Sequence, residues 1–251
     1  MYTILYFSPT GNTRFLANHL KKSFLDDESE VQALEKTEPS ELEASDHLIL
    51  MFPIHGFNAP RTVTRFVKEI PSNLYRSVSL IAVGCNTIWV NEGASMKLKK
   101  LFTKKGYKIL ADEVLAMPLT LVMSFPEETI KKLFVESIAK IEEISKTISK
   151  GISTNKKVPI KSKMISFVGK IESPAAKLFG LELHANKTCT SCSICWNNCP
   201  ENNIKQGKNN KPKFGFNCSM CMRCIYDCPT KSISPYISKF IAIKDGYKVL
   251  E

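Results

Sequence analysis

The chain has 251 residues, of which 43% are hydrophobic and 24% are charged. This is enough material for one or two compact domains, and it excludes a wholly disordered or fibrous protein. The formal net charge of +11 fits nucleic-acid binding, an anionic surface, or buried negative groups that the count omits. Residues 1–150 hold 19 basic and 18 acidic side chains, residues 151–183 hold 6 and 2, and residues 184–251 hold 10 and 4. Eight of the nine cysteines also lie between Cys189 and Cys228, so the composition predicts two unlike parts.

No apolar run reaches the roughly 18 residues of a membrane span, and the longest candidate is the stretch 47–54. The N-terminal residues 1–7 read as a strand and lack the basic segment and small-residue cleavage site of a secretory signal. We therefore expect no transmembrane segment and a cytoplasmic protein with reduced thiols.

The first 150 residues alternate short apolar runs with longer stretches of helical period, which predicts βαβ units around a parallel sheet. The predicted strands are Thr3–Phe7, Val31–Leu34, His47–Phe52, Val78–Val83 and Lys108–Leu115. The predicted helices are Asn12–Phe24, Pro60–Glu69, Glu92–Lys104 and Pro126–Lys150. This pattern favours a doubly wound α/β domain over residues 1–150.

A glycine turn follows the first predicted strand, with the sequence Ser8-Pro9-Thr10-Gly11-Asn12-Thr13-Arg14. Hydroxyl groups and free backbone N–H groups meet there at the start of a helix, which favours an anion such as phosphate. The turn matches neither the dinucleotide nor the P-loop fingerprint. An ordinary Ser/Thr-rich helix cap is the alternative.

The S-x-T-G-N-T spelling of this turn resembles the phosphate loop of flavodoxins. The resemblance implies that FMN binds here, with donors from Ser8, Thr10, Asn12 and Thr13 and a turn permitted by Gly11. It also implies a flavodoxin-like five-stranded sheet that binds flavin at the carboxyl ends of its strands.

Two segments after the third and fourth strands are then expected to flank the isoalloxazine ring. The first contributes Pro53, Ile54, His55, Gly56 and Phe57, and the second contributes Gly84, Cys85, Asn86 and Trp89. By resemblance, Gly56 presents backbone near the reactive flavin nitrogen. Flavodoxins usually place a Tyr or Trp against the flavin ring. This chain offers His55, Phe57 or Trp89 near the ring, so the identity of the stacking residue stays open. His55 is either a flavin-edge donor or a strand-end cap, and Cys85 is a pocket-lining residue rather than a nucleophile.

Residues 151–183 form a predicted basic linker with short helices. One interpretation is an amphipathic segment for a membrane surface or a partner. The other is a solvated strap that packs apolar residues such as Ile165, Phe167 and Phe179 on a neighbouring domain.

Two cysteine runs dominate the last third of the chain, and both read C-x2-C-x2-C-x3-C-P. The offset between them is 29 residues at every cysteine, which indicates an internal duplication. In such runs three thiolates surround one iron–sulfur cluster, while the fourth, followed by proline, ligates the other cluster. The predicted ligand sets are therefore crossed: one is Cys189, Cys192, Cys195 and Cys228, and the other is Cys199, Cys218, Cys221 and Cys224.

The runs resemble the bacterial-type ferredoxin with two 4Fe-4S clusters, over a small α+β domain at residues 184–251. Zinc ribbons and a disulfide scaffold are the alternatives, but neither needs a third cysteine or the closing Cys-Pro. Trp196, Ile194, Ile204, Ile225 and Ile233 are predicted to form an apolar shell around the clusters.

The chain as a whole resembles a flavodoxin fused to a ferredoxin, a combination of anaerobes. The resemblance implies electron transfer between FMN and the clusters, coupling one-electron and two-electron carriers for a partner redox enzyme. The alternative is a flavin-dependent reductase of a quinone, nitro compound or oxygen, so enzymatic activity stays open. The excess of lysines, including Lys205, Lys208, Lys211 and Lys213, predicts an acidic redox partner. Nucleic acid is not expected as a partner, and a homodimer is left open.

Overall fold

The computed structural model describes residues 1–24, 29–85, 88–155, 157–169, 172–243, 247 and 249. The chain divides into two compact units. We call Met1–Pro118 with Phe125–Lys170 the sheet unit, and Leu119–Ser124 with Ile171–Glu251 the cysteine unit. The predicted linker 151–183 is divided between these units, and most of it is helical.

Five parallel strands form the sheet of the first unit. In chain order they are β1 (Tyr2–Tyr6), β2 (Glu30–Ala33), β3 (Ser45–Pro53), β4 (Tyr75–Gly84) and β5 (Lys108–Ala116). Their spatial order is β2-β1-β3-β4-β5. Every residue of β3 from His47 to Phe52 is buried, as expected of a central parallel strand that helices cover on both faces. All five strands were predicted from the sequence, each within three residues of its observed start and within one of its end.

The helices of the sheet unit are α1 (Asn12–Ser23), α2 (Arg61–Glu69), α3 (Ile88–Asn91), α4 (Met96–Lys104), α5 (Glu127–Ser149) and α6 (Ile160–Val168). α1 packs against α5, and α2 packs against α4. The helix predicted to begin at Glu92 instead begins at Met96, after the short α3 and a turn. The strand order has one reversal point, next to β1, which in doubly wound sheets places a ligand outside the carboxyl ends of the central strands.

The cysteine unit contains one longer helix and several short elements. These are α7 (Glu172–Glu182), β6 (Leu183–Ala185), α8 (Ile194–Asn197), β7 (Ile204–Gln206), β8 (Pro212–Phe214), α9 (Arg223–Tyr226) and β9 (Ile233–Pro235). β6 pairs with β9 and β7 pairs with β8, both antiparallel. A small core of Phe179, Leu183, Met222 and Ile233 holds the elements together.

The predicted duplication is visible in the backbone. β6, α8 and β7 each recur 29 residues later as β8, α9 and β9. The two antiparallel pairs also share one register, because Leu183 faces Pro235 and Pro212 faces Gln206. Each repeat therefore folds in the same way from a different sequence.

Within the described part of the chain, every helix is either too short or too polar to cross a bilayer.

Candidate cofactor sites

Two cavities in the cysteine unit gather all eight cysteines of the duplicated runs. Cys189, Cys192, Cys195 and Cys228 line one of them, which we call the Cys228 cavity. Cys199, Cys218, Cys221 and Cys224 line the other, the Cys199 cavity. Each cavity thus takes three cysteines from one run and the last cysteine of the other, which is the grouping expected for crossed ligation.

The loops that carry these cysteines have matching backbone conformations. Ser191 and Ser193 have positive φ angles of 59° and 66°, and their counterparts Met220 and Met222 have 52° and 64°. L-residues seldom adopt this region. Its recurrence at equivalent positions shows that the C-x2-C-x2-C spacing requires a sharp turn inside each spacer, whatever the side chain.

Burial in the two cavities changes the pKa values of the thiols. Burial raises the pKa of Cys195 to about 11 and that of Cys221 to about 12, and it raises the pKa of Cys224 as well. Burial favours the protonated form of a thiol, and the Arg223 guanidinium only partly opposes this at Cys221. A cationic group inside the cavity would favour the thiolates.

The pKa of Cys228 shifts in the opposite direction from the pKa values of Cys195, Cys221 and Cys224. Burial raises the pKa of its thiol, but hydrogen bonds from Ser232 and Thr230 outweigh burial and bring the pKa below its ordinary value. The Ser232 hydroxyl lies 3.2 Å from the Cys228 sulfur, and the Ser232 N–H donates to the same sulfur at 3.3 Å.

The disulfide alternative does not fit the structure, because all nine cysteines are free thiols. Among the described residues, no group of three or more His, Cys, Asp or Glu side chains converges on one metal-ion position.

The predicted apolar shell lines both cavities. Ile194, Trp196 and Ile233 lie at the Cys228 cavity, and Ile204 and Ile225 lie at the Cys199 cavity. Of the four lysines singled out in the sequence, Lys205, Lys208 and Lys213 are exposed. The Lys211 ammonium instead donates to the Cys189 carbonyl.

In the sheet unit, the glycine turn leads directly from β1 into α1. Gly11 occupies the N-cap position with φ of 104° and has no side chain to cap the helix, and the first turn carries no acidic residue. The Ser8 hydroxyl accepts a hydrogen bond from the Arg14 N–H at 3.0 Å, which closes the loop. Thr10 is half-buried and Thr13 is buried in the first helical turn. This geometry suits an anion at the start of α1.

The Asn12 side chain ties the glycine turn to the end of β5. Its buried amide donates to the Pro118 carbonyl at 3.1 Å. This bond holds the loop in place, and the predicted phosphate contact of Asn12 stays a prediction.

The segment after β3 forms a tight turn. His55 and Asn58 exchange backbone hydrogen bonds of 2.9 and 3.0 Å, and Gly56 and Phe57 between them both have positive φ. Pro53 and Ile54 are half-buried and lead into this turn. We call residues 55–58 the first flavin loop.

The hydrogen bonding of the His55 ring indicates whether a polar ligand fits at this turn. The ring lies edge-on to Phe7 with 6.5 Å between the ring centroids, and desolvation lowers its pKa to about 4, so the imidazole is neutral. Its Nδ1 atom is buried without a hydrogen-bond partner in the structure. Buried polar atoms are rarely left in that state, so a polar ligand at this turn fits the residues present.

Gly84 is the last residue of β4. Cys85, α3 and the turn that follows α3 come after it. Cys85 is half-buried, and its carbonyl accepts a hydrogen bond from the Asn91 side chain at 3.4 Å. Asn86 lies outside the described residues. We call residues 88–93 the second flavin loop.

Of the three candidate stacking rings, Phe57 and Trp89 are exposed, while His55 is half-buried. A ring that stacks on flavin needs an open face, so the geometry favours Phe57 or Trp89 over His55.

Sequence reasoning missed a set of residues that join the two flavin loops. Asn58 of the first loop and Glu92 of the second both bond to serines of α6, Ser166 and Ser162 respectively. The available signal was the spacing of Ser162 and Ser166, four residues apart in an otherwise apolar and basic helix. Of the apolar linker residues, Phe179 is buried in the core of the cysteine unit, Ile165 is half-buried and Phe167 is 68% exposed.

Comparison with known proteins bears on the sheet unit. No family model matches the sequence, and no curated protein matches it. A flavodoxin from Fusobacterium nucleatum, solved with flavin mononucleotide, is 17% identical and aligns with 61% of this chain and 98% of its own, with a TM-score of 0.44. Flavodoxin 2 from Bacillus cereus is 20% identical over 59% of this chain and 97% of its own, with a TM-score of 0.45. The sheet unit has the flavodoxin-like fold.

The same comparison finds rubredoxin oxygen:oxidoreductase of Desulfovibrio gigas, which is 14% identical with a TM-score of 0.38. The match covers 57% of this chain but only 36% of that enzyme. The flavodoxin-like assignment itself rests on the strand order β2-β1-β3-β4-β5.

Proposed function

We propose that this chain is an electron-transfer flavoprotein that holds one FMN in the sheet unit and two 4Fe-4S clusters in the cysteine unit. When bound, the flavin exchanges electrons in pairs or singly, and each cluster carries one electron at a time. The protein would then couple two-electron and one-electron carriers for a partner redox enzyme.

The observation that carries the proposal is the grouping of the cysteines. Cys228 lies with the first three cysteines of the other run, and Cys199 does the same in the other cavity. Two zinc ribbons would keep each run to itself. The buried, high-pKa thiols need a cationic centre, and the flanking isoleucines and methionines exclude water from it.

In the sheet unit, Ser8, Thr10 and Thr13 would hold the FMN phosphate at the start of α1, with support from the helix dipole. The neutral His55 would donate or accept a hydrogen bond at the ring edge through Nδ1. Phe57 or Trp89 would cover a ring face. The carboxyl ends of β3 and β4 place these two loops next to each other.

The composition of the anaerobically purified protein tests the proposal. We expect about eight iron, about eight sulfide and one FMN per chain, with a reduced-state EPR spectrum of two interacting clusters. Zinc without sulfide would contradict the cluster half of the proposal. Full iron without flavin would contradict the FMN half.

A variant pair tests the phosphate loop separately. Thr10→Glu places a negative charge beside the bound phosphate, so FMN should be lost while iron and sulfide are retained. Thr103→Glu, at an exposed position of α4, is the matched control and should retain FMN. Stoichiometric FMN in Thr10→Glu would contradict the phosphate-loop assignment.

The partner is expected to present an acidic surface. Lys205 and Lys213 are exposed and face each other on β7 and β8, and the exposed Lys208 lies in the connection between these strands. Such charges steer a negative partner. Electron transfer to the partner should slow as salt concentration rises. A transfer rate independent of salt would contradict this surface.

A further inference from the structure

Helix α6 makes side-chain contacts with both flavin loops. On the first loop, the Ser166 hydroxyl donates to Asn58 Oδ1 at 2.7 Å, and the Asn58 amide donates to the Ser166 carbonyl at 2.9 Å. On the second loop, the Ser162 hydroxyl lies 2.8 Å from the Trp89 carbonyl and 3.2 Å from Glu92 Oε2. One helical turn therefore joins two loops that are far apart in sequence.

The packing at these contacts is close. A Cβ on Gly169 would overlap the Gly56 carbonyl oxygen, and a Cβ on Gly93 would lie 2.8 Å from the Ser162 carbonyl oxygen. Only glycine fits at either position. The backbone of α6 and its C-terminal extension thus lies directly on both loops.

The burial pattern of α6 is the reverse of that in an ordinary surface helix. Ser162 and Ser166 are 1% and 2% exposed, whereas Ile160, Met164 and Phe167 face solvent. Helices normally bury their apolar stripe, so burial of hydrophobic area does not explain why α6 lies here. The hydrogen bonds of its serine face are what fix its position.

The first loop is also held internally by the residue that α6 contacts. The Asn58 amide donates to the Gly56 carbonyl at 2.7 Å as well as to Ser166. The same side chain therefore sets the orientation of the Gly56 peptide and ties it to α6. Movement of α6 away from the loops breaks its hydrogen bonds to Asn58 of the first loop and to Trp89 and Glu92 of the second loop.

We propose that α6 is a clasp across the flavin site, in which Ser162, Ser166 and Asn58 are positioning residues that hold the two loops at a fixed separation. This inference rests on the proposed FMN site and adds a role for the segment between α5 and α7. The clasp slows FMN release, because the flavin leaves only when the loops separate.

The test compares FMN release from the holoprotein in serine-to-alanine variants. Ser162→Ala removes the bonds to the second loop, Ser166→Ala removes the hydroxyl bond to the first, and a double variant removes both. Ser145→Ala is the matched control. Ser145 is equally buried, and its hydroxyl bonds only to the Glu142 carbonyl within α5. FMN release is followed by ultrafiltration at timed intervals after dilution.

We expect the double variant to release FMN about 5- to 30-fold faster than the wild type, since each lost hydrogen bond contributes up to about tenfold. Each single variant should show a smaller increase, and Ser145→Ala none. Hydrogen exchange of peptides covering 55–59 should rise in Ser166→Ala, that of peptides covering 88–94 should rise in Ser162→Ala, and both should rise in the double variant.

The outcomes separate the clasp from the FMN site itself. Wild-type release from both single variants overturns the clasp and leaves the FMN site intact. A wild-type protein that binds no FMN at all overturns the proposed function, and the clasp with it. If the double variant fails to fold, the single variants and the hydrogen-exchange measurement still decide the question.

Discussion

The sulfur atoms of Cys199 and Cys228 each accept a hydrogen bond from the backbone N–H four residues later, at 3.3 Å in both cases. These cysteines close the two runs, and each lines the cavity of the opposite run. The shared bond shows that the turn after each Cys-Pro pair has one geometry. The residues around the two sulfurs nevertheless differ, and this difference has consequences for the two proposed clusters.

Pairs of cysteine variants should distinguish crossed from uncrossed ligation. Cys192→Ser with Cys228→Ser alters one cavity only, so about four iron should remain. Cys192→Ser with Cys199→Ser alters both cavities, so most of the iron should be lost. Iron and sulfide analysis checks both results, with FMN content as the control for folding. The opposite pattern would establish uncrossed ligation.

The two clusters should differ in reduction potential. The Ser232 and Thr230 hydroxyls lie near the Cys228 sulfur, whereas the equivalent residues of the other repeat, Asn203 and Glu201, carry no hydroxyl. Hydrogen bonds to a ligating sulfur stabilise the more negative reduced state and raise the potential. The cluster of the Cys228 cavity should therefore be reduced first.

Ser232→Ala tests this difference in potential. Loss of one hydrogen bond of about 1 kcal/mol should lower the potential of that cluster by about 40 mV, as measured by an EPR-monitored redox titration. Ser234→Ala, two residues further along β9, should leave both potentials unchanged. A Ser232→Ala potential equal to that of the wild type would refute the assignment.

The stability of the sheet unit should fall in mild acid because of His47. Its ring is buried between the Ser77 and Ser79 hydroxyls, at 2.6 and 2.8 Å, and burial lowers its pKa from 6.5 to about 4. The unfolded chain therefore binds more protons between these pH values. The free energy of unfolding should fall as pH drops from 6.5 to 4, by at most about 3 kcal/mol from this residue.

Urea unfolding of the sheet unit at several pH values measures this effect. His47→Gln should reduce the slope but not abolish it, because burial shifts the pKa of His55 in the same direction. A slope in His47→Gln identical to that of the wild type would show that His47 is not the titrating group.

A nearly buried ion pair joins α4 to β5. Lys99 Nζ lies 2.8 Å from Asp112 Oδ2, and Ser95 also donates to this carboxylate. Lys99→Met leaves the carboxylate without its cation and should lower the free energy of unfolding by about 2–4 kcal/mol. Lys100→Met, at the exposed position next to it, should change stability little. Adding Asp112→Asn to Lys99→Met should restore part of the loss.

The sequence predicted the features that arise from local patterns. The five strands and the turn at Gly11 follow from runs of apolar residues and from glycine and hydroxyl spacing. The crossed cysteine grouping was expected from the known ligation pattern of C-x2-C-x2-C-x3-C-P runs, and the structure groups the cysteines in that way. The doubly wound strand order then follows from the family resemblance.

Features that depend on long-range contacts escaped prediction. The Asn12 side chain reaches Pro118, and Ser166 reaches Asn58, 106 and 108 residues away. Serine in a helix carries no signal of its partner, and the apolar residues of α6 suggested the wrong buried face. The helix predicted over Glu92–Lys104 begins only at Met96, because residues 92–95 form a turn after the unpredicted α3.

The pairing of strands in the cysteine unit has a consequence for its assembly. β6 belongs to the first repeat and β9 to the second, while β7 belongs to the first and β8 to the second. Each small sheet thus takes one strand from either half, as each cavity takes cysteines from both. The halves meet as two identical subunits of a symmetric dimer would, through the same surface used twice. Each half supplies only one strand to each small sheet, so neither half can form a sheet by itself. We therefore expect the two halves to fold together.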